Sequence, residues 1–177
     1  MAEDPDRRRF LKLATCGVGG GIGLVVIAPV ARLVLDPAGK QTVTTPTDPI
    51  DLGAAERLHV GMEWSKVDVI APVVHDAWTT ARNVVLGAAW IRRPADAKLE
   101  ALSATCPHLG CAVGWDPQNA GFLCPCHNSR WTANGQVVAK SGPAKRDLDP
   151  LPIEIKDGRL RLTWVSYKLD IASRERA

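Results

Sequence analysis

Four of the five cysteines lie between positions 106 and 126, and this crowding constrains the fold more than any other feature of the 177-residue chain. They arrive in two short segments with histidines among them, Thr105-Cys106-Pro107-His108-Leu109-Gly110-Cys111 and Cys124-Pro125-Cys126-His127-Asn128-Ser129. Each segment presents one thiolate and one imidazole at close spacing. Such clustering marks a metal site, a disulfide framework, or both. Brought together, the two loops supply two sulfurs and two nitrogens to a metal, with one further cysteine in each loop. The fifth cysteine, Cys16, stands alone in an apolar stretch and reads as a small hydrophobe.

Around these loops the chain has the pattern of an all-β protein. Short runs rich in Val, Ile, Leu and Trp occupy 66–70, 84–92, 99–104, 112–115, 121–123, 136–138, 153–155 and 160–165. Turn residues separate them, including Asp116-Pro117, Asn134-Gly135 and Asp157-Gly158. Ile153-Glu154-Ile155 and Leu160-Arg161-Leu162 alternate in polarity on either side of Asp157-Gly158, which predicts a hairpin. Many short strands with close turns predict a small antiparallel β-sandwich or barrel. The length fits one such domain with additions. The formal charge of +3 is too mild to imply nucleic acid, and no basic block carries interleaved aromatics outside the extreme N-terminus. The charged tail, 170–177, is expected to fray.

The additions lie at the N-terminus. Asp6-Arg7-Arg8-Arg9-Phe10-Leu11-Lys12 resembles the twin-arginine export signal, with Asp6 in place of the usual Ser or Thr. That route carries folded proteins, which suits a chain whose cofactor is inserted before export. Residues 13–35 are uncharged up to Arg32, and a bilayer core needs about 20 apolar residues as a helix. Pro29 disfavours cleavage after Ala28, so an uncleaved single-pass anchor is expected. The positive-inside rule places 1–12 in the cytoplasm and everything after the span outside the bacterial cytoplasmic membrane. Residues 36–51 carry Pro37, Gly39, Pro46 and Pro49 among threonines and read as a flexible linker or hinge. The head domain then covers 52–177, with its metal-binding part at about 104–145.

Donor chemistry alone leaves two metals open. Zinc accepts Cys₂His₂, and a [2Fe–2S] centre can take two Cys on one iron and two His on the other. Each segment, however, carries an additional cysteine that a four-ligand zinc site does not need. Cys-x-His-Leu-Gly-Cys followed by Cys-Pro-Cys-His-x-Ser resembles the Rieske iron–sulfur family, in its disulfide-containing branch from quinol–cytochrome c reductases. Ser141-Gly142-Pro143-Ala144, with Leu148 and Pro150 after it, resembles the proline loop that covers the cluster in that family.

The resemblance implies a [2Fe–2S] cluster with Cys106 and Cys124 on the buried iron and His108 and His127 on the outer one. It implies a Cys111 to Cys126 disulfide tying the loops together, and a hydrogen bond from Ser129 to a bridging sulfide. His127, with His108, would take the quinol's hydrogen bond and proton. The implied function is that of an electron-transfer subunit in a respiratory quinol–cytochrome c reductase. Its partners would be a cytochrome b-type subunit, a c-type cytochrome, quinol and the lipid bilayer, within a dimeric complex. The alternative is the Rieske small subunit of another exported oxidoreductase such as arsenite oxidase. A Rieske ferredoxin or oxygenase domain fits less well, because those usually lack the second cysteine pair.

The chain departs from the family pattern at two positions. Asn128 stands where Gly is usual, and Asn tolerates a positive φ better than most residues. Trp131 replaces the Tyr whose hydroxyl donates to a ligand sulfur in high-potential members. Hydrogen bonds to sulfur favour the reduced cluster, so a lower potential, suited to menaquinol, is expected. Elsewhere His59 and His75 read as ordinary histidines, and Trp64, Trp78, Trp90 and Trp164 read as core. Lys140, Lys145 and Arg146 read as a solvated basic face.

Overall fold

The computed structural model describes residues 5–36, 46, 48–76, 78–95 and 98–177. These divide into two units, one containing the N-terminal helix and one containing most of the β structure. Most of the stretch read as a linker, 37–45 and 47, lies outside the described residues.

Helix α1 (Pro5–Leu35) runs unbroken through the arginines and past Pro29 for 31 residues. None of its residues is buried. Four successive side chains, Leu24, Val25, Val26 and Ile27, are 59% exposed or more, so the apolar surface is continuous around the helix rather than a stripe. A helix apolar on every side belongs in a protein core or in lipid, and here no residue of it is buried by protein. At about 1.5 Å per residue it reaches about 46 Å, longer than the ~30 Å hydrocarbon layer. Among the described residues it is the one helix long and apolar enough to cross a membrane.

The β unit holds three antiparallel sheets of three strands each among the described residues. The first orders β1 (Ile50–Ala54), β9 (Arg159–Leu162) and β8 (Ile153–Lys156). The second orders β2 (Met62–His75), β3 (Thr80–Arg93) and β4 (Glu100–Ser103). The third orders β5 (Gly114–Asp116), β6 (Gly121–Leu123) and β7 (Arg130–Thr132). The period of two along β3 and β4 explains how they stack. Ala89, Ile91 and Ala101 enter one core with Ile50, Leu160, Leu162 and Val69. Trp90 and Leu102, on the alternate positions, enter a second core with Phe122, Trp131, Cys106 and Cys124. The second sheet therefore packs against the first sheet on one face and the cysteine loops on the other. In the second core Phe122 is the hub, with Trp115 and Trp64 edge-on at 5.0 and 5.4 Å and Trp90 tilted at 5.6 Å.

The hairpin of β8 and β9 forms around Asp157 (φ 51) and Gly158 (φ 70), as the Asp-Gly pair predicts for a turn that needs two positive φ values. Several expectations need correction. β1 begins at Ile50, a buried core residue inside the span read as linker, because Ile50 pairs with Leu162 across the sheet. β7 had no pattern of its own, and 136–138 makes only a bridge, Trp131 to Val137. Trp78 is 60% exposed, not core. It sits in a turn where Asp76 accepts the N–H groups of Thr79 and Trp78, which hold its carboxyl below the usual range. The tail is not frayed: Lys168 N–H donates to Glu175 O and Ala177 N–H to Ser166 O, while Tyr167 bridges Arg176. Arg146 is not a solvated residue; it is 5% exposed and grips Asp149, itself 4% exposed, through Nε and Nη2 at 2.9 and 2.8 Å.

Candidate functional site

Three loops meet above the second core. The first, residues 105–112, is closed at its base by a Thr105 to Ala112 bridge and by Cys106 N–H donating to Cys111 O at 2.8 Å. Gly110 turns the loop with φ 80, and its N–H returns to Cys106 O. The second, residues 124–129, closes through Cys124 N–H to Ser129 O at 2.9 Å. Asn128 sits there at φ 58, which is why a side chain tolerant of the left-handed region can replace glycine. Cys111 and Cys126 form a disulfide that joins the two loops.

The third, residues 141–146, lies on the second. Arg130 N–H donates to Ser141 Oγ at 2.9 Å, and Ala144 N–H donates to Ser129 Oγ at 3.1 Å. Gly142 approaches so closely that a Cβ there would stand 2.6 Å from Ser129 N and 2.7 Å from His127 O.

The six residues singled out at the two motifs converge with a definite polarity. Cys106 and Cys124 are free thiols, 2% and 1% exposed, and their sulfurs interact directly. His108 is half-buried and His127 exposed, with ring centroids 4.8 Å apart. Sulfur therefore lies on the inside and imidazole on the outside. Burial pushes the Cys106 thiol up to about 11, against the main-chain N–H groups of His108 and Leu109 that donate to its sulfur. A thiol as deeply desolvated as that of Cys106 is readied to ionise by a cationic partner such as a metal. Among the described residues, the one trio of Cys, His, Asp or Glu donors within 4.8 Å of one another is Cys111, Cys124 and Cys126, two of which are spent in the disulfide. Two buried thiols against each other and two outward imidazole rings against each other fit a dinuclear centre that takes one pair on each metal.

Ser129, 1% exposed, accepts from Ala144 and keeps its own hydroxyl proton to donate. The indole N–H of Trp131 is committed elsewhere: it donates to Arg146 O at 3.1 Å in a buried contact. Sequence reasoning did not anticipate that partner. His59 and His75 are exposed on other parts of the chain.

A family model described as the Rieske [2Fe–2S] domain matches residues 64–152. The chain is 33% identical over 88% of its length to the menaquinol:cytochrome c reductase iron-sulfur subunit of Geobacillus thermodenitrificans, covering 89% of that protein. It is 35% identical over 90% of its length to the subunit of the same name from Bacillus subtilis, covering 92%. Similarity extends to the cytochrome b6-f complex iron-sulfur subunit of Chlorobaculum tepidum, at 28% identity over 89% of this chain and 75% of that one.

Proposed function

Because the chain belongs to the Rieske [2Fe–2S] family, we propose that it carries electrons from a quinol to a c-type cytochrome as a membrane-anchored subunit of a quinol–cytochrome c reductase. The observation that carries this reading is the polarity of the site, two buried thiols beneath two outward imidazoles. Cys106 and Cys124 would hold one iron of the cluster, and His108 and His127 the other. When bound, the cluster supplies one-electron chemistry at the protein surface.

The rest follows from the chain's own groups. The second core and the loop 141–146 exclude water from the sulfur side, since Cys106, Cys124 and Ser129 are each 2% exposed or less. His127 is the more exposed imidazole, so it is the one placed to receive the quinol hydroxyl and its proton. His108, half-buried beside it, steadies the edge-on ring contact. Ser129 Oγ, whose proton is left to give, would donate to a sulfur of the cluster. The arginines at 7–9 and Lys12 stay on the cytoplasmic side and the head lies outside, where a disulfide persists.

Trp131 points to the quinol class. With its N–H given to Arg146 O, it leaves the ligand sulfurs one donor fewer than a tyrosine hydroxyl would supply. A lower potential results, which fits menaquinol and agrees with the names of the two most identical relatives reported above. Film voltammetry of Trp131→Tyr is expected to show a raised midpoint potential; no rise would refute this account of the quinol.

The complex itself is tested by mild-detergent purification of the tagged chain. Co-purifying b- and c-type haems are expected, with the EPR signal of a reduced Rieske cluster. A molybdenum-containing partner in their place would assign the chain to a different exported oxidoreductase, and colourless, iron-free protein would overturn the cluster reading.

A further inference from the structure

We propose that the C-terminal segment 166–177 is a strap that, through Asp170, sets the hydrogen bond received by the Cys106 sulfur. The inference rests on the reading of Cys106 as a cluster ligand.

Asp170 N–H donates to Pro107 O at 2.8 Å. Pro107 is less than 2% exposed, so this carbonyl has little access to water as a substitute partner. The carbonyl of Pro107 and the N–H of His108 belong to one planar peptide group. That N–H donates to the Cys106 sulfur. The tail thus holds the peptide by its oxygen while the same peptide offers its hydrogen to the ligand. A group bonded at both ends is oriented and polarised together.

The strap is itself anchored on the loop 141–146. Lys145 Nζ reaches Asp170 O at 2.9 Å and the Asp170 carboxylate at 3.0 Å, and Arg146 Nη1 donates to Ile171 O at 2.7 Å. Leu169 adds an apolar contact, its Cδ1 3.3 Å from where a Gly110 Cβ would sit. The disulfide joins the first loop to the second, Ser129 joins the second to the third, and the strap joins the third back to the first. Asp170 is a positioning residue in this ring, since it touches no ligand atom.

Asp170 has φ 57, a conformation that Asn shares and Pro forbids. In the full-length protein Asp170→Pro removes both the N–H and the turn, whereas Asp170→Asn keeps both and loses only the carboxylate. The expected result is a downward shift of midpoint potential for Asp170→Pro, with roughly five- to tenfold faster iron release to a chelator, and wild-type values for Asp170→Asn. A chain ending at Leu169 must repeat the proline result, and it decides the matter if Asp170→Pro does not fold. An unchanged potential in the proline or truncated chain overturns the proposal, as does an Asp170→Asn protein that behaves like the proline variant. Amide exchange at His108 gives an independent readout in protein without iron, where Asp170→Pro must accelerate it. Wild-type protein lacking the cluster spectrum would defeat the cluster reading, while the exchange rates still decide the strap.

Discussion

Cys124→Ser is expected to abolish the cluster: iron content and the reduced-state EPR signal should fall by more than about a hundredfold, beyond the 10- to 100-fold typical of residues that only support a ligand. Cys124 is 1% exposed and adjoins Cys106, whose thiol burial pushes up to about 11. A serine hydroxyl ionises far less readily still, so the inner iron would face one anionic ligand in place of two. The fold around it should survive, because the second core is organised on Phe122 and its three tryptophans rather than on the sulfurs. The exposed His59→Ala is the control and should keep full iron content. Retention of a normal signal in Cys124→Ser would refute the ligand assignment.

Gly142→Ala carries the second largest effect. The added methyl would stand 2.6 Å from both Ser129 N and Ser129 Oγ and 2.7 Å from His127 O. Two of these are main-chain atoms and cannot swing aside, so the loops must separate. Separation breaks the Ala144 to Ser129 and Arg130 to Ser141 hydrogen bonds. With overpacking added, the destabilisation of the closed loops is about 3 kcal/mol. Chelator-driven iron loss should accelerate on the order of a hundredfold (about 1.4 kcal/mol per factor of ten). The midpoint should fall as the Ser129 hydroxyl moves away. Gly114→Ala, whose methyl would meet nothing closer than Leu123 O at 3.9 Å, should be neutral by the same assays. Equal iron-loss rates for the two variants would show that Gly142 does not hold the loops.

Much of the site was legible because its chemistry is local in the chain. Each ligand segment spans only a few residues, so residue type and spacing bring one thiolate and one imidazole into reach without help from the rest of the fold. The β8 and β9 hairpin was legible for the same reason, since Asp157-Gly158 encodes its own turn. Strand β7 was not, because Arg130-Trp131-Thr132 is a strand only while Phe122 and its neighbours pair with it. β1 was hidden likewise, as Ile50 looks like the end of a linker until Leu162 lies opposite.

The chain's order of residues alone marked the thiols and imidazoles proposed to grip iron, the apolar helix that precedes them, and the short strands around them. Tertiary structure decided what those atoms feel. Arg146 reads as a surface cation until Asp149 and Ile171 O enclose it. Trp131 carries an N–H in any fold, but only the packed molecule commits it to Arg146 O. Asp170 looks like part of a solvated tail until it meets Pro107, 63 positions earlier. Spacing along a chain reports partners a few residues away, whereas burial and hydrogen-bond partnership depend on groups brought together from remote positions, and these tune the electron's energy.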